Sequence, residues 1–191
     1  MEDFLGFGPA YQGAAPTANV SINMGQVVFT CLNEGTNDMT VDEPGGVLAM
    51  TSDTGDNDNV VLWAGPFKPA DGGVVIEVRF KTNNATLAAI WCGFSETLHL
   101  TGTPVMPAEY ATTTLTINGS GGMAGMLWDP DGTDNDWRAV AGDAGAVATD
   151  LATATGVLSD KGDLVADEYD VVRVEIDVNG DAKMYHEGKL I

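Results

Sequence analysis

Basic residues are scarce in this chain of 191 residues, which has 8 lysines and arginines against 28 aspartates and glutamates. The formal net charge is −20. A large nucleic-acid-binding face needs clustered lysine and arginine side chains, so the composition excludes nucleic acid as a partner. The same charge disfavours anionic membrane surfaces. The acidity is typical of a soluble protein whose copies repel one another, and the alternative interpretation is an acidic patch that docks on a basic partner.

Long apolar runs and cysteines are also scarce. No stretch approaches the ~20 apolar residues of a membrane span. The first residues, MEDFLGFGPAYQG, lack the basic and apolar regions of a secretory signal. Cys31 and Cys92 lie far apart in short apolar runs, and we interpret them as reduced core residues.

Short β-type segments, separated by turn residues, follow one another after residue 25. In VVIEVRFK (74–81), alternation places Glu77 and Arg79 on one face of a strand and Val78 and Phe80 on the other. The run 87–94 is nearly all apolar, which predicts a strand buried on both faces. Further strands are predicted at 26–32, 46–52, 59–63, 112–118, 122–128, 136–141, 171–178 and 181–186.

Asn179-Gly180 predicts a tight hairpin between the last two of these strands. No segment longer than about ten residues has a helical period with caps, so helix is minor. The pattern predicts an all-β fold, an antiparallel β-sandwich over residues 26–191. Residues 1–25 have no strand or helix period and are predicted to form an irregular N-terminal arm.

Two aspartate clusters are candidates for cation binding, SDTGDND (52–58) and DPDGTDND (129–136). The second begins as an EF-hand does, but Asp134 stands where that loop needs glycine and Val140 where it needs glutamate. We therefore predict a solvated hairpin tip and no metal site, with a calcium loop of another kind as the alternative.

Candidate catalytic groups are few. Neither His99 nor His186 has a cysteine, histidine or carboxylate at metal-ligand spacing. Glu175 and Asp177 match the first two acids of a glycosidase strand, but the third acid is missing. No G-x-S-x-G motif is present. The sequence predicts neither an enzyme nor a cofactor.

The four tryptophans, which could stack on sugars, are interpreted mainly as core residues: Trp63, Trp91, Trp128 and Trp137.

Five blocks, taken together, resemble one family of tailed-phage structural proteins with a concanavalin A-like or laminin G-like sandwich of jelly-roll type. The blocks are EDFLGFG (2–8), DNDNVVLWAGPFKPADGGVVIEVRFK (56–81), IWCGFSET (90–97), MLWDPDGTDNDWRAVAGDAG (126–145) and DEYDVVRVEIDVNGDAKMYHEGKLI (167–191). In that family a further strand usually follows the GKLI block, so the closing strand is expected from the N-terminal arm or a neighbour.

The resemblance implies a virion protein on the capsid surface, a head decoration or cement protein that binds and stabilises the shell of major capsid protein. A homotrimer is expected, because such proteins sit at local symmetry axes. The predicted anchors are the apolar side chains of the arm, Phe4, Leu5, Phe7 and Tyr11. The alternative function is a carbohydrate-binding adhesin module on a tail fibre or on the capsid, which would need exposed tryptophans.

Overall fold

The computed structural model describes eight ranges of the chain, and everything below refers to them: 20–24, 27–33, 60–96, 106–118, 121–132, 136–142, 149–150 and 164–191. The described residues are almost entirely strands and turns, with one short 3-10 helix at Pro69–Asp71. No described helix has the length and apolar character to cross a bilayer. Within these ranges, the prediction of an all-β fold with little helix is confirmed.

The chain divides into two compact units, residues 1–66 with 98–105, and residues 67–97 with 106–191. The described part of the first unit is one antiparallel sheet in the order β1-β2-β3. Its strands are β1 (Val20–Met24), β2 (Val27–Asn33) and β3 (Val60–Trp63). Strand β1 lies inside the range predicted as an irregular arm, and its alternating Val20, Ile22 and Met24 are the strand signal that the prediction missed.

The second unit contains two four-stranded antiparallel sheets and one hairpin. The first sheet has the order β10-β9-β8-β5, the second β13-β12-β11-β4, and the hairpin pairs β6 with β7. The bounds are β4 Val74–Phe80, β5 Ile90–Ser95, β6 Ala108–Ala111, β7 Thr114–Ile117, β8 Met123–Trp128, β9 Arg138–Gly142, β10 Thr149–Asp150, β11 Asp170–Ile176, β12 Ala182–His186 and β13 Lys189–Leu190.

The two four-stranded sheets contribute side chains to one hydrophobic core. Met126 and Trp128 come from the first sheet, and Val172, Val174 and Met184 come from the second. Strand β4 adds Ile76, Val78 and Phe80, as its alternation predicted, and turns Glu77 and Arg79 outward. The period of two therefore selects which face of each strand enters the core.

A second hydrophobic cluster covers the other face of β8 and β9. Leu127 and Val140 pack there against Ala108 and Tyr110 of the hairpin. Every residue of β8 is consequently buried. The sequence predicted this environment for residues 87–94 instead, and that prediction is wrong. Strand β5 begins only at Ile90 and is partly buried throughout, and Leu87 is 80% exposed in the preceding loop.

The hairpin between β11 and β12 turns at Asn179-Gly180 as predicted, but its loop is one residue longer than the two-residue turn that this pair favours, and Asp177 lies opposite Asp181. Val172 lies opposite His186, and Ile176 lies opposite Ala182. Gly180 takes a positive φ of 91°, which glycine adopts without the steric cost of a side chain. The Asp177 carboxylate accepts hydrogen bonds from the backbone N–H groups of Asn179 (2.7 Å) and Asp181 (3.0 Å), which fixes the turn.

Candidate functional site

A buried polar network joins the two sheets at one end of the shared core. Trp137, which immediately precedes β9, donates its indole N–H to Oδ2 of Asp170, the first residue of β11, at 2.9 Å. Nε2 of His186, the last residue of β12, lies 2.6 Å from Oδ1 of the same carboxylate. Asp170 and His186 are only 7% and 8% exposed. A buried charge needs such partners, and here both carboxylate oxygens have one.

Register and pleat explain why Asp170 and His186 meet. His186 lies opposite Val172, and Asp170 stands two residues before Val172, on the same face of β11. The two side chains are therefore diagonal neighbours on adjacent strands, within reach of each other. Burial favours the neutral form of Asp170, but hydrogen bonds from His186 and Trp137 outweigh it, and the pKa of the carboxyl lies below its usual value.

Aromatic rings surround this network. The Trp137 ring packs edge-on against Phe80 at a centroid distance of 5.8 Å and lies 6.0 Å from Trp128 and 5.9 Å from the His186 ring. Cys92, at the edge of the same core, is a free thiol. Burial and the nearby charge of Asp170 raise the pKa of this thiol to about 12. The thiolate is the reactive form of cysteine, and a thiol with so high a pKa stays protonated at neutral pH. Cys92 is therefore an unreactive core residue.

Glu187 extends the network to the surface. It occupies the turn between β12 and β13 with a positive φ of 48°, followed by Gly188 at 75°. Two successive positive φ values are typical of a type I′ hairpin turn, which normally favours asparagine or glycine at the first position. The backbone N–H of Val171 donates to Oε1 of Glu187 at 2.7 Å, and the Glu187 N–H donates to the Val171 carbonyl at 3.0 Å. This reciprocal pair holds the glutamate beside the start of β11.

A second polar group lies on the opposite side of the β13-β12-β11-β4 sheet. The Arg173 guanidinium is 2.6 Å from Glu175 and 3.1 Å from Glu77 across the strands. Hydrogen bonds to Glu175 and then to Glu77 raise the pKa of Arg173. We call this surface the outer sheet face; its residues are Val75, Glu77, Arg79, Val171, Arg173, Glu175, Lys183, Tyr185 and Leu190. This face carries three basic and two acidic side chains, so it does not share the net negative charge of the whole chain.

The aspartate loop that follows β8 begins with a hydrogen-bonded turn at Asp129. Asp129 is 8% exposed, and its carboxylate accepts the backbone N–H groups of Tyr110 (2.8 Å) and Asp131 (3.1 Å). The prediction of a solvated tip is therefore wrong for Asp129, which instead ties this loop to β6. Asp134 and the whole first aspartate cluster lie outside the described residues.

The other predicted site residues divide into three groups. The arm anchors Phe4, Leu5, Phe7 and Tyr11 lie outside the described ranges, as does His99. Trp128 and Trp137 are 2% and 0% exposed, so these two are core residues as predicted and cannot stack on a sugar. Trp63 and Trp91 are half-buried. The sequence predicts no metal-ligating residue near His186. Glu187 is nevertheless adjacent in the chain, and the β11–β12 register brings Asp170 to the His186 ring.

No known protein-family model matches this chain, and neither a curated protein nor a solved structure is significantly similar to it.

Proposed function

We propose that this protein is a structural component of a tailed-phage particle, a decoration or cement protein that binds the shell of major capsid protein. The observation that carries the proposal is where the family-like sequence blocks lie in the fold. Blocks far apart in the sequence supply the strands of the shared core.

The correspondence can be followed along the chain. Block 56–81 contains β3 and β4, and block 90–97 contains β5. Block 126–145 contains the second half of β8 and all of β9, and block 167–191 contains β11, β12 and β13. These blocks therefore hold most of the two four-stranded sheets. Two antiparallel sheets that share one core support the finer proposal of a concanavalin A-like jelly-roll sandwich.

The proposed mechanism is stabilisation by binding. A protein that binds only the assembled shell shifts the equilibrium toward that shell, by an amount set by its concentration relative to its Kd. We propose that Phe4, Leu5, Phe7 and Tyr11 anchor the chain on the major capsid protein, since aromatic side chains dominate interface energetics.

We further propose a homotrimer at local symmetry axes of the capsid surface. Copies with a net charge of −20 repel one another, and a contact between them needs a surface without that excess. The outer sheet face meets this requirement, with exposed Val75 and Leu190 beside its paired charges.

The test is the number of copies per purified phage particle, measured by quantitative mass spectrometry against the major capsid protein. Hundreds of copies in a simple ratio to the shell protein are expected for a decoration protein. A handful of copies would overturn the proposal and indicate a tail or fibre component, for which glycan binding would be tested next.

A further inference from the structure

We propose that Asp170, His186 and Glu187 bind one divalent transition-metal ion of the Zn²⁺ class. One donor atom of each residue lies within 4.8 Å of the donor atoms of the other two. Asp170 and His186 are buried and Glu187 is exposed. The site is thus closed on the core side and open to water on the other, as a three-ligand site with a solvent ligand requires.

The donor set selects the class of ion. One imidazole nitrogen and two carboxylate oxygens suit zinc and its transition-metal neighbours, which accept mixed nitrogen and oxygen ligands. Calcium and magnesium prefer oxygen ligands alone, and the buried nitrogen of His186 disfavours them.

A supporting set of hydrogen bonds orients two of the ligands and leaves one oxygen of each carboxylate for the ion. Trp137 donates to Oδ2 of Asp170, so Oδ1 faces His186. The Val171 N–H donates to Oε1 of Glu187, so Oε2 remains for the ion. The Trp137 ring packs beside the imidazole at a centroid distance of 5.9 Å. Ligands of protein metal sites are usually held by an outer shell of this kind.

The ion would replace the proton between His186 and Asp170. Nε2 and Oδ1 are 2.6 Å apart, a distance that a shared proton spans. A tetrahedral ion about 2.0–2.1 Å from each atom needs a separation of roughly 3.3 Å, so the two side chains move apart by about 0.7 Å. The proton on Nε2 is released to solvent from a charged ring, or reappears on Nδ1 through solvent in a neutral one.

The test uses the full chain, stripped with a chelator and desalted, and titrated with Zn²⁺ in an excess of Mg²⁺ that occupies diffuse acidic sites. The chain has two histidines, and ¹⁵N-detected imidazole NMR resolves both rings. The expected result is a shift of the His186 ring nitrogens that saturates at one ion per chain, with His99 unchanged. No shift of His186, or equal non-saturating shifts of both rings, would overturn the site.

Two exposed glutamates provide matched variants. Glu187→Gln keeps an oxygen for the Val171 N–H but removes the charged ligand, and we expect Zn²⁺ affinity to fall roughly tenfold or more. Glu168→Gln removes the same charge two residues before Asp170 without removing a proposed ligand, and should leave affinity unchanged. Equal losses in both variants would show diffuse attraction to an acidic chain and would also overturn the site. Amide NMR spectra of both variants check that the fold is retained.

Discussion

Trp137, which immediately precedes β9 of one sheet, and Asp170, the first residue of β11 in the other, are joined by a buried hydrogen bond of 2.9 Å. Trp137→Phe removes this donor, so Oδ2 of the buried Asp170 carboxylate loses its hydrogen bond from the indole. The smaller ring also leaves empty space in the core. We expect the free energy of unfolding to fall by about 2–4 kcal/mol, measured by urea denaturation.

Trp128→Phe is the matched control for this substitution. Trp128 is equally buried, but its indole N–H donates to the carbonyl of Ala85 at 3.1 Å rather than to a carboxylate. Hydrogen bonds to charged groups contribute more than those to neutral ones. Trp137→Phe should therefore be the more destabilising, and equal losses would show that the carboxylate bond between the sheets contributes little.

The pair Gly93 and Gly125 explains a close approach between β5 and β8. The two glycines lie opposite each other, and a Cβ at Gly125 would overlap the Trp91 ring. Gly125→Ala should lower the free energy of unfolding by about 1–3 kcal/mol because the ring must move. Gly122→Ala, whose Cβ would reach only the Glu96 side chain at 3.5 Å, should be close to neutral. If the two variants unfold alike, the Trp91 ring has room to move.

The turn between β11 and β12 predicts a pH-dependent contribution to stability. Backbone N–H groups of Asn179 and then Asp181 lower the pKa of Asp177 in the folded chain. Its stabilising effect is therefore present above the unfolded value, about 3.9, and is lost as pH falls through the lower folded value.

We expect wild type to be more stable than Asp177→Asn at pH 7 in chemical denaturation, and the difference to disappear as the pH falls through the lowered folded pKa of Asp177. Asp181→Asn removes the same charge from the same turn and keeps the Asp177 bonds, so it should not reproduce this profile. A pH-independent difference between wild type and Asp177→Asn would contradict the assignment.

Removal of residues 1–14 tests the proposed arm. We expect the shortened chain to lose co-sedimentation with capsids, since the deletion removes Phe4, Leu5, Phe7 and Tyr11, while its circular dichroism spectrum remains that of a β-protein. The control replaces the acidic pair Glu2 and Asp3 by Gln and Asn and keeps the aromatic side chains. Normal capsid binding by the shortened chain would eliminate the arm as the anchor.

Local sequence signals predict some elements well. The alternation of VVIEVRFK fixes both the extent of β4 and the side chains that it buries, because the period of two is visible in the sequence itself. The Asn179-Gly180 pair likewise predicts where the β11–β12 hairpin turns, but not its register, because the loop has three residues instead of two. Strand β6, AEYA, is not predicted from the sequence, because alanine and glutamate are depleted in strands and leave Tyr110 as its one strand-forming residue.

Burial on both faces depends on neighbours rather than on local pattern. Runs 87–94 and 123–128 are both apolar, and only the packing of the β6–β7 hairpin makes the second the doubly buried strand. The contact between Asp170 and His186 spans 16 residues and follows from the hairpin register. The bond to Trp137 spans 33 residues and requires the packing of two sheets, which no spacing in the sequence reveals.

The antiparallel pairing of β4 with β11 has a consequence for synthesis. Phe80 lies opposite Asp170, which the ribosome adds 90 residues later. At about 5–20 residues per second, β4 waits roughly 5–20 seconds for this partner. Three of the four strands of its sheet come from residues 170–190, so that sheet closes only after nearly all of this sequence has emerged. A nascent chain with an unpaired apolar strand for that time is a substrate for chaperones, and this sheet is expected to fold only after residues 170–190 have left the ribosome.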